Sequence, residues 1–460
     1  MSAIKNEELV KRIARLAKQN QDLEEHIRNL EKMNEKLTRD NENIKALYEK
    51  ASPEGVKEHS LKFNMATVLF ADIHGFSKFV GGMDSSAAMD ELDEILFEFD
   101  AIVSRFKIEK IKTIGDTYMC AGGIPVKNIT NPIDVVMAAM EMRNFLEKFE
   151  INKRGRDSRI WDLKIGIHTG PVTASVTGKK KVNYEIKGDT VNTVSRVEAV
   201  SDKGMILISV MTYELVKEFF DCEYSGKLPV KYKGDLQMYK VKGLKPEFSV
   251  NGEWIIPNES FRIKFGLIQF TDIQEIILDK LEKELPGYLY YHNVKHTVDV
   301  VTEVELIGWG EGCTDEEILL LKTAGLFHDA GHIIAYDNHE FYSTELAREM
   351  LPKFNYSPQQ IECICSMIMA TKLPPKPTNL LENIICDSDL DYLGRSDFIP
   401  VSNTLYEELK AQNKMWSLND WNKIQVKFIS GHQYFTGTAR SLREVNKQLQ
   451  IERIQSLITE

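Results

Sequence analysis

The spacing of apolar residues changes period twice along this chain, and each period calls for a different kind of core. From Leu9 to Ile44 the step alternates between four and three. One set of positions is Leu9, Leu16, Leu23, Leu30, Leu37 and Ile44; the other is Ile13, Asn20, Ile27, Asn34 and Asn41. Leucine on one seam, with isoleucine and asparagine on the other, predicts a parallel two-stranded coiled coil over residues 1–50, in which buried asparagine sacrifices stability for register. "ASPEG", Ala51 to Gly55, ends that helix through proline and glycine. From about residue 60 to 245, short strand-like runs alternate with helical ones. Beyond residue 261 the period is helical throughout.

A chain of 460 residues is too long for one ordinary core. Its 43% hydrophobic and 28% charged residues are ordinary for globular protein. A net charge of -11 argues against nucleic acid or an anionic membrane as partner. No apolar run reaches the roughly 20 residues that cross a bilayer. Cys120, Cys222, Cys313, Cys363, Cys365 and Cys386 form no CxxC pair or disulfide framework. The expected compartment is a reducing cytoplasm.

In the second region, "NMATVLFADIHGFSKF" reads as a buried strand that ends at Asp72, and "IEKIKTIGDTYMCAGG" as two strands joined at Gly115-Asp116. Glycine at the first central position suits a two-residue type II′ turn. The order strand, helix, strand, strand, helix, strand predicts a ferredoxin-like α/β sandwich. Asp72 at a strand end and Asp116 at a hairpin tip can lie side by side, where hard divalent ions relieve their repulsion and bind substrate phosphates. On spacing alone, two ordinary turn aspartates remain an equal alternative.

"FADIHGFS", "KIKTIGDTYM" and "GDTVNTVSR", in this order, resemble the signature set of class III nucleotidyl cyclases. The resemblance implies two Mg²⁺ or Mn²⁺ ions on a triphosphate, held by Asp72, Asp116 and the backbone carbonyl of Ile73. It assigns Asn192 and Arg196 to the ribose and the transferring phosphate, and Lys233 to the terminal phosphates. Lys112 stands where adenylyl cyclases have the lysine that donates to adenine. Its partner position is Glu185, where adenylyl members carry aspartate or threonine and guanylyl members often cysteine. ATP is the favoured substrate and GTP the alternative. Sites in that family form between two cyclase domains. A chain with one such domain is therefore expected to work as a homodimer, assisted by the coiled coil, with an upstream signalling partner left open.

The third region predicts an all-helical bundle. "YYHNVKHTVDVV" places His292 and His296 four apart, on one face if helical, and "AGLFHDAGH" places His328 beside Asp329 at the end of an apolar helix. These motifs resemble the HD-domain phosphohydrolases, cyclic-nucleotide phosphodiesterases in particular. The resemblance implies one or two divalent metals, with His296, His328, Asp329 and Asp389 as ligands and Asp387 as the alternative to Asp389. It implies His292 as proton donor, with His332 and His339 as candidates for a second ion or its bridging water. The expected whole is a coiled coil over 1–50, an α/β cyclase domain over 60–245 and an all-α HD domain over 261–460. In this reading the HD half hydrolyses cyclic nucleotide or serves as a regulatory ligand-binding module.

Overall fold

A computed structural model describes residues 60–75, 85–155, 161–177, 183–230, 234–415 and 417–459. The expected coiled coil and Lys233 lie outside these residues. The first part runs β1 (Ser60–His74), α1 (Ser85–Arg105), β2 (Glu109–Ile114), β3 (Thr117–Gly122), α2 (Asn131–Arg154), β4 (Asp162–Thr177), β5 (Asn183–Lys187), α3 (Asp189–Ala199), β6 (Ile206–Ser209), α4 (Val210–Val216), β7 (Phe220–Val230) and β8 (Gly234–Leu244). The strands form one mixed sheet in the order β2-β3-β1-β4-β6-β8-β7, with β5 paired to β4. Its first four strands reproduce the split order expected for a ferredoxin-like unit, with β3 between β2 and β1 and antiparallel to both.

Alternation along β1 explains why this sheet is covered on both faces. Leu69, Ala71 and Ile73 join the core beneath α1 and α2, whereas Val68 packs with Met119, Val172 and Val194 in a second cluster. Helix α1 buries Leu92, Ile95, Phe99 and Ile102, a three-four-three spacing that keeps one stripe on the sheet. The β2–β3 turn has the predicted geometry. Ile114 pairs with Thr117, so Gly115-Asp116 is a two-residue loop, and positive φ falls on Gly115 (63°) and not on Asp116.

The segment 245–260, which reads as a linker, is folded. Phe248 is buried, Leu244 N donates to Trp254 O at 2.8 Å, and Gly243 lies so close to Trp254 that a Cβ would meet its carbonyl oxygen at 2.5 Å.

The helical part comprises α5 (Glu259–Glu284), α6 (Val294–Gly310), α7 (Asp315–Phe327), α8 (His339–Met350), α9 (Pro358–Ala370), α10 (Leu380–Asp389), α11 (Phe398–Ala411), α12 (Leu418–Gly431) and α13 (Gly437–Leu457). Capping boxes at Thr314–Glu317 and Ser357–Gln360 fix the starts of α7 and α9. Helices α6, α7, α9 and α10 bury Val300, Val304, Leu321, Phe327, Ile364 and Ile385 in a common core. Among the described residues, no helix is long and apolar enough to cross a membrane.

Candidate active sites

Two clusters of chemistry-bearing side chains follow from this architecture. The first sits where β1 ends beside the β2–β3 turn. Asp72 pairs in register with Thr117, whose hydroxyl donates to Asp72 Oδ1 at 3.0 Å, and Ile73 N donates to Asp116 O at 3.1 Å. The ladder thus brings Asp72 and Asp116 together. With His74 they offer donor atoms within 4.8 Å of one another, and His74 Nε2 is 3.2 Å from Asp72 Oδ2. Sequence reasoning missed His74, although it lies only two residues from Asp72 on the same face of a strand.

Glu198 was also missed. Helix α3 seats it against β4, where a Cβ on Gly166 would meet Glu198 N at 2.4 Å. Burial, then the negative charge of Asp72 and to a lesser degree Asp116, raise its pKa to about 7, with Lys164 opposing. An acid that charges reluctantly beside two others marks a locus of concentrated negative potential, which suits a divalent ion.

Asn192 and Arg196 share an exposed face of α3, as their spacing requires. Lys112 is exposed on β2, and β5, which carries Glu185, runs close to that strand. Within the chain, Glu185 Oε2 is 3.5 Å from Lys187 Nζ, and among the described residues it makes no ion pair with Lys112.

The second cluster gathers residues from α6, α8, α10 and α11 and from the segments that precede α6 and follow α7. Asn293 caps α6, accepting from Lys295 N at 2.9 Å and His296 N at 3.3 Å. His292 therefore precedes the helix, and the expected shared helical face for His292 and His296 is not what joins them. Tertiary contacts do so instead. Glu408 of α11, fully buried, accepts from Tyr291 N at 2.9 Å and His292 N at 3.1 Å, and lies 2.5 Å from His292 Nδ1. Burial would raise the Glu408 pKa, but His292 and these backbone donors hold it below the usual value.

His328 closes α7 with its Nδ1 on Gly325 O at 2.7 Å, so Nε2 faces the cluster. That nitrogen is 3.3 Å from His296 Nε2, 3.2 Å from Asp329 Oδ2 and 3.6 Å from Asp389 Oδ1. His296 Nε2 is in turn 3.4 Å from Asp329 Oδ2 and 3.1 Å from Asp389 Oδ1. Donor atoms bound at about 2.1 Å to one ion stand roughly 3.0–3.4 Å apart. Asp329 Oδ2 is buried and makes no hydrogen bond. The four side chains therefore fit a divalent metal by donor type, spacing and this orphaned oxygen.

Burial works to lower the His328 pKa, but Asp329 and Asp389 hold it well above that of an ordinary imidazole. Both carboxylates are held low despite burial, Asp329 mainly by His328 and Asp389 by His296 and His328.

Asp387 is not part of this cluster. It accepts from Phe435 N at 2.9 Å, Thr436 N at 2.8 Å and Thr436 Oγ1 at 2.7 Å, which ties α10 to the start of α13. His332 and His339 stack at 3.9 Å, and His339 Nε2 is 3.3 Å from Asp329 Oδ1. Both ring nitrogens of His332 are buried without a partner, and burial holds its pKa down at about 2. His332 is therefore neutral, with a free lone pair beside Asp329 and His292, whose donor atoms lie within 4.8 Å of its own.

Gly331 permits this crowding. A Cβ there would meet His339 O at 2.0 Å and Ser343 N at 2.7 Å. Gly331→Ala is expected to cost about 1–3 kcal/mol by pushing the 330–333 turn off α8. The thermal midpoint of the purified variant checks this; an unchanged midpoint would contradict the packing described.

Comparison with known proteins finds two family matches along this chain. Residues 58–243 match the model for the adenylate and guanylate cyclase catalytic domain, and residues 293–391 match the HD domain model. A receptor-type guanylate cyclase, gcy-8 of Caenorhabditis elegans, is 35% identical over 201 residues, which cover 43% of this chain and 17% of that protein. An adenylate cyclase of Mycobacterium bovis is 33% identical over 184 residues, 40% of this chain and 41% of that protein. The chain thus spans less than half the length of these curated relatives. The guanylate cyclase domain of RhGC from Catenaria anguillulae, solved with GTP, is 32% identical with a TM-score of 0.36, covering 40% of this chain and 100% of that one. The chain carries a class III nucleotidyl cyclase domain at residues 58–243, followed by an HD domain at residues 293–391.

Proposed function

We propose that the chain is an adenylate cyclase, acting as a homodimer, whose HD domain hydrolyses cyclic nucleotide. The observation that carries the cyclase half is the meeting of Asp72 and Asp116 where β1 ends beside the β2–β3 turn, close enough to Glu198 to raise its pKa. In the reaction the ribose 3′-oxygen bonds to the α-phosphorus, the bond to pyrophosphate breaks and the hydroxyl proton is released. Two divalent ions, held by Asp72, Asp116 and the Ile73 carbonyl, would neutralise the triphosphate and acidify that hydroxyl. Asn192 and Arg196 face outward on α3. There they are free to orient the ribose and phosphate at the site of a second chain, with Lys233 on the terminal phosphates. Lys112 donates to adenine N1 and Glu185 accepts from the 6-amino group.

In the HD half, His296, His328, Asp329 and Asp389 would hold a divalent ion that activates water and neutralises the phosphate. His332 and His339 stand beside Asp329, where a second ion or its bridging water would be held. Glu408 fixes the ring of His292 through Nδ1, which leaves Nε2 to give a proton to the leaving 3′-oxygen. Water oxygen then bonds to phosphorus as the ring ester opens, leaving a 5′-monophosphate.

The test is incubation of the purified chain with ATP or GTP and Mg²⁺ or Mn²⁺, following cyclic nucleotide, monophosphate and pyrophosphate. Cyclic AMP and pyrophosphate from ATP, with weaker turnover of GTP, are expected; no cyclic product from either would end the cyclase reading. The Lys112→Glu, Glu185→Cys double variant is expected to lower kcat/KM for ATP about 100-fold and raise that for GTP. An unchanged ATP preference would remove these two residues from base selection. A second reading, in which the HD domain regulates the cyclase, is favoured by a helix that serves both cores.

A further inference from the structure

Helix α5 belongs to two hydrophobic cores. Its first turns place Phe261 in the core beneath the cyclase sheet, edge-on to Phe219 at 5.2 Å, with Phe265 and Ile268 packed against the same cluster. Its later turns place Phe270, Ile273, Ile277 and Leu281 in the HD core, with Val300 of α6 and Phe327 of α7. Gly266 lets α5 approach α7 closely, since a Cβ there would meet Leu319 Cδ2 at 2.7 Å. One rigid rod therefore touches the helices that carry His296 and His328 and also the layer that supports Asp72 and Asp116.

Where α5 passes between the cores it presents Asp272. This carboxylate is buried and accepts from Ile129 N at 2.9 Å, one residue before Thr130, the N-cap of α2. Thr130 makes no side-chain cap of its own. A helix N-terminus leaves backbone donors unsatisfied and favours negative charge. Asp272 places a carboxylate acceptor just before that N-terminus, from the far side of the domain joint.

The start of α2 in turn grips the sheet. Thr67 Oγ1 donates to Asn131 Oδ1 at 2.6 Å and lies 2.9 Å from Thr169 Oγ1, and a Cβ on Gly122 would meet Asn131 Cβ at 3.0 Å. Thr67 pairs with Gly122 on the same β1–β3 ladder that, at its other end, pairs Asp72 with Thr117. The contact is not fully satisfied, because Asp272 Oδ2 is buried without a hydrogen-bond partner. A cavity of about 1000 Å³, lined by Thr130, Met137, Phe265, Leu319 and Phe354, lies beside the joint.

We propose that Asp272 is a positioning residue for the cyclase: a latch through which the state of the HD metal cluster, carried by α7 and α5, sets the placement of α2 and the β1–β3 ladder. This rests on the cyclase reading only for its kinetic consequence. The latch itself is a structural coupling and is tested without turnover.

The experiment is a double-mutant cycle on the full chain, with Asp329→Ala to disturb the HD cluster and Asp272→Ala to remove the latch. Hydrogen exchange over residues 129–135 is the first readout and cyclase kcat and KM for ATP the second. Asp272→Ala is expected to speed exchange there about tenfold. Asp272→Asn, which keeps an acceptor for Ile129 N, is expected to restore much of the protection. Asp329→Ala is expected to alter both that exchange and kcat by at least about fivefold when Asp272 is present, and neither when it is absent. An Asp329→Ala effect on exchange that is equal in both backgrounds, or missing from both, overturns the latch. Coupled exchange in a chain that makes no cyclic nucleotide would uphold the latch and discard the cyclase reading instead.

Discussion

Asp116→Ala is expected to lower cyclic nucleotide formation about 1000-fold and to leave the fold in place. The second half of that expectation follows from the hairpin. Asp116 is the second residue of a tight two-residue turn, and its link to β1 runs through its backbone carbonyl, which accepts from Ile73 N at 3.1 Å. Its side chain is half-buried at the sheet edge, so truncation should change the thermal midpoint by the equivalent of about 0.5 kcal/mol or less. The loss is therefore electrostatic. One of two carboxylates for the ions disappears, and among the described residues Asp72 keeps its contacts with Thr117 and His74.

Manganese titration of the variant should show weakened binding at this site, whereas a purely structural role would appear as a lowered midpoint. The same variant also tests the dimer. Mixed with Arg196→Ala chains, it would, on the proposed homodimer, form hybrids in which one of the two shared sites is intact. Random assortment should restore about a quarter of wild-type activity. No recovery on mixing would argue that each chain completes its own site.

The residues of these sites were legible in the sequence to different depths, for physical reasons. Asp72, Asp116, His328 and Asp329 could be singled out because a strand end, a two-residue turn and a helix end are local structures, and because the motifs around them resemble known families; spacing alone left the two aspartates level with ordinary turn residues. The residues that orient them are not local. Glu408 stands 116 positions from His292 and Asp272 stands 143 from Ile129, and nothing in their own helices separates them from solvated acids. Spacing also misled in one place. His292 and His296 at i and i+4 suggest one helical face, but Asn293 caps α6 and leaves His292 outside it. The choice between Asp387 and Asp389 rested on resemblance. The backbone donors of Phe435 and Thr436, which occupy Asp387, become visible only once α13 is placed beside α10.

Asp329→Ala is the complementary experiment, expected to abolish hydrolysis of cyclic nucleotide by about 1000-fold while synthesis continues. Asp329 reaches in two directions within the HD cluster, with Oδ2 at 3.2 Å from His328 and 3.4 Å from His296, and Oδ1 at 3.3 Å from His339. Among the described residues it is the carboxylate that joins the four-donor set to the histidines around His332. Its removal should therefore empty both arrangements, which loss of Asp389 alone would not. With ATP as the only nucleotide supplied, wild type should release AMP and the variant should accumulate cyclic AMP. Metal binding gives an independent check. A site saturated at 100 times its dissociation constant stabilises the folded chain by about 2.7 kcal/mol, so added manganese should raise the HD unfolding midpoint of wild type and not of the variant. Should added cyclic AMP and cyclic GMP both survive wild-type enzyme while Asp329→Ala still changes the rate of synthesis, the HD cluster is a sensor. Its metal would then act on the cyclase through α5, and the same four side chains would owe their arrangement to regulation instead of hydrolysis.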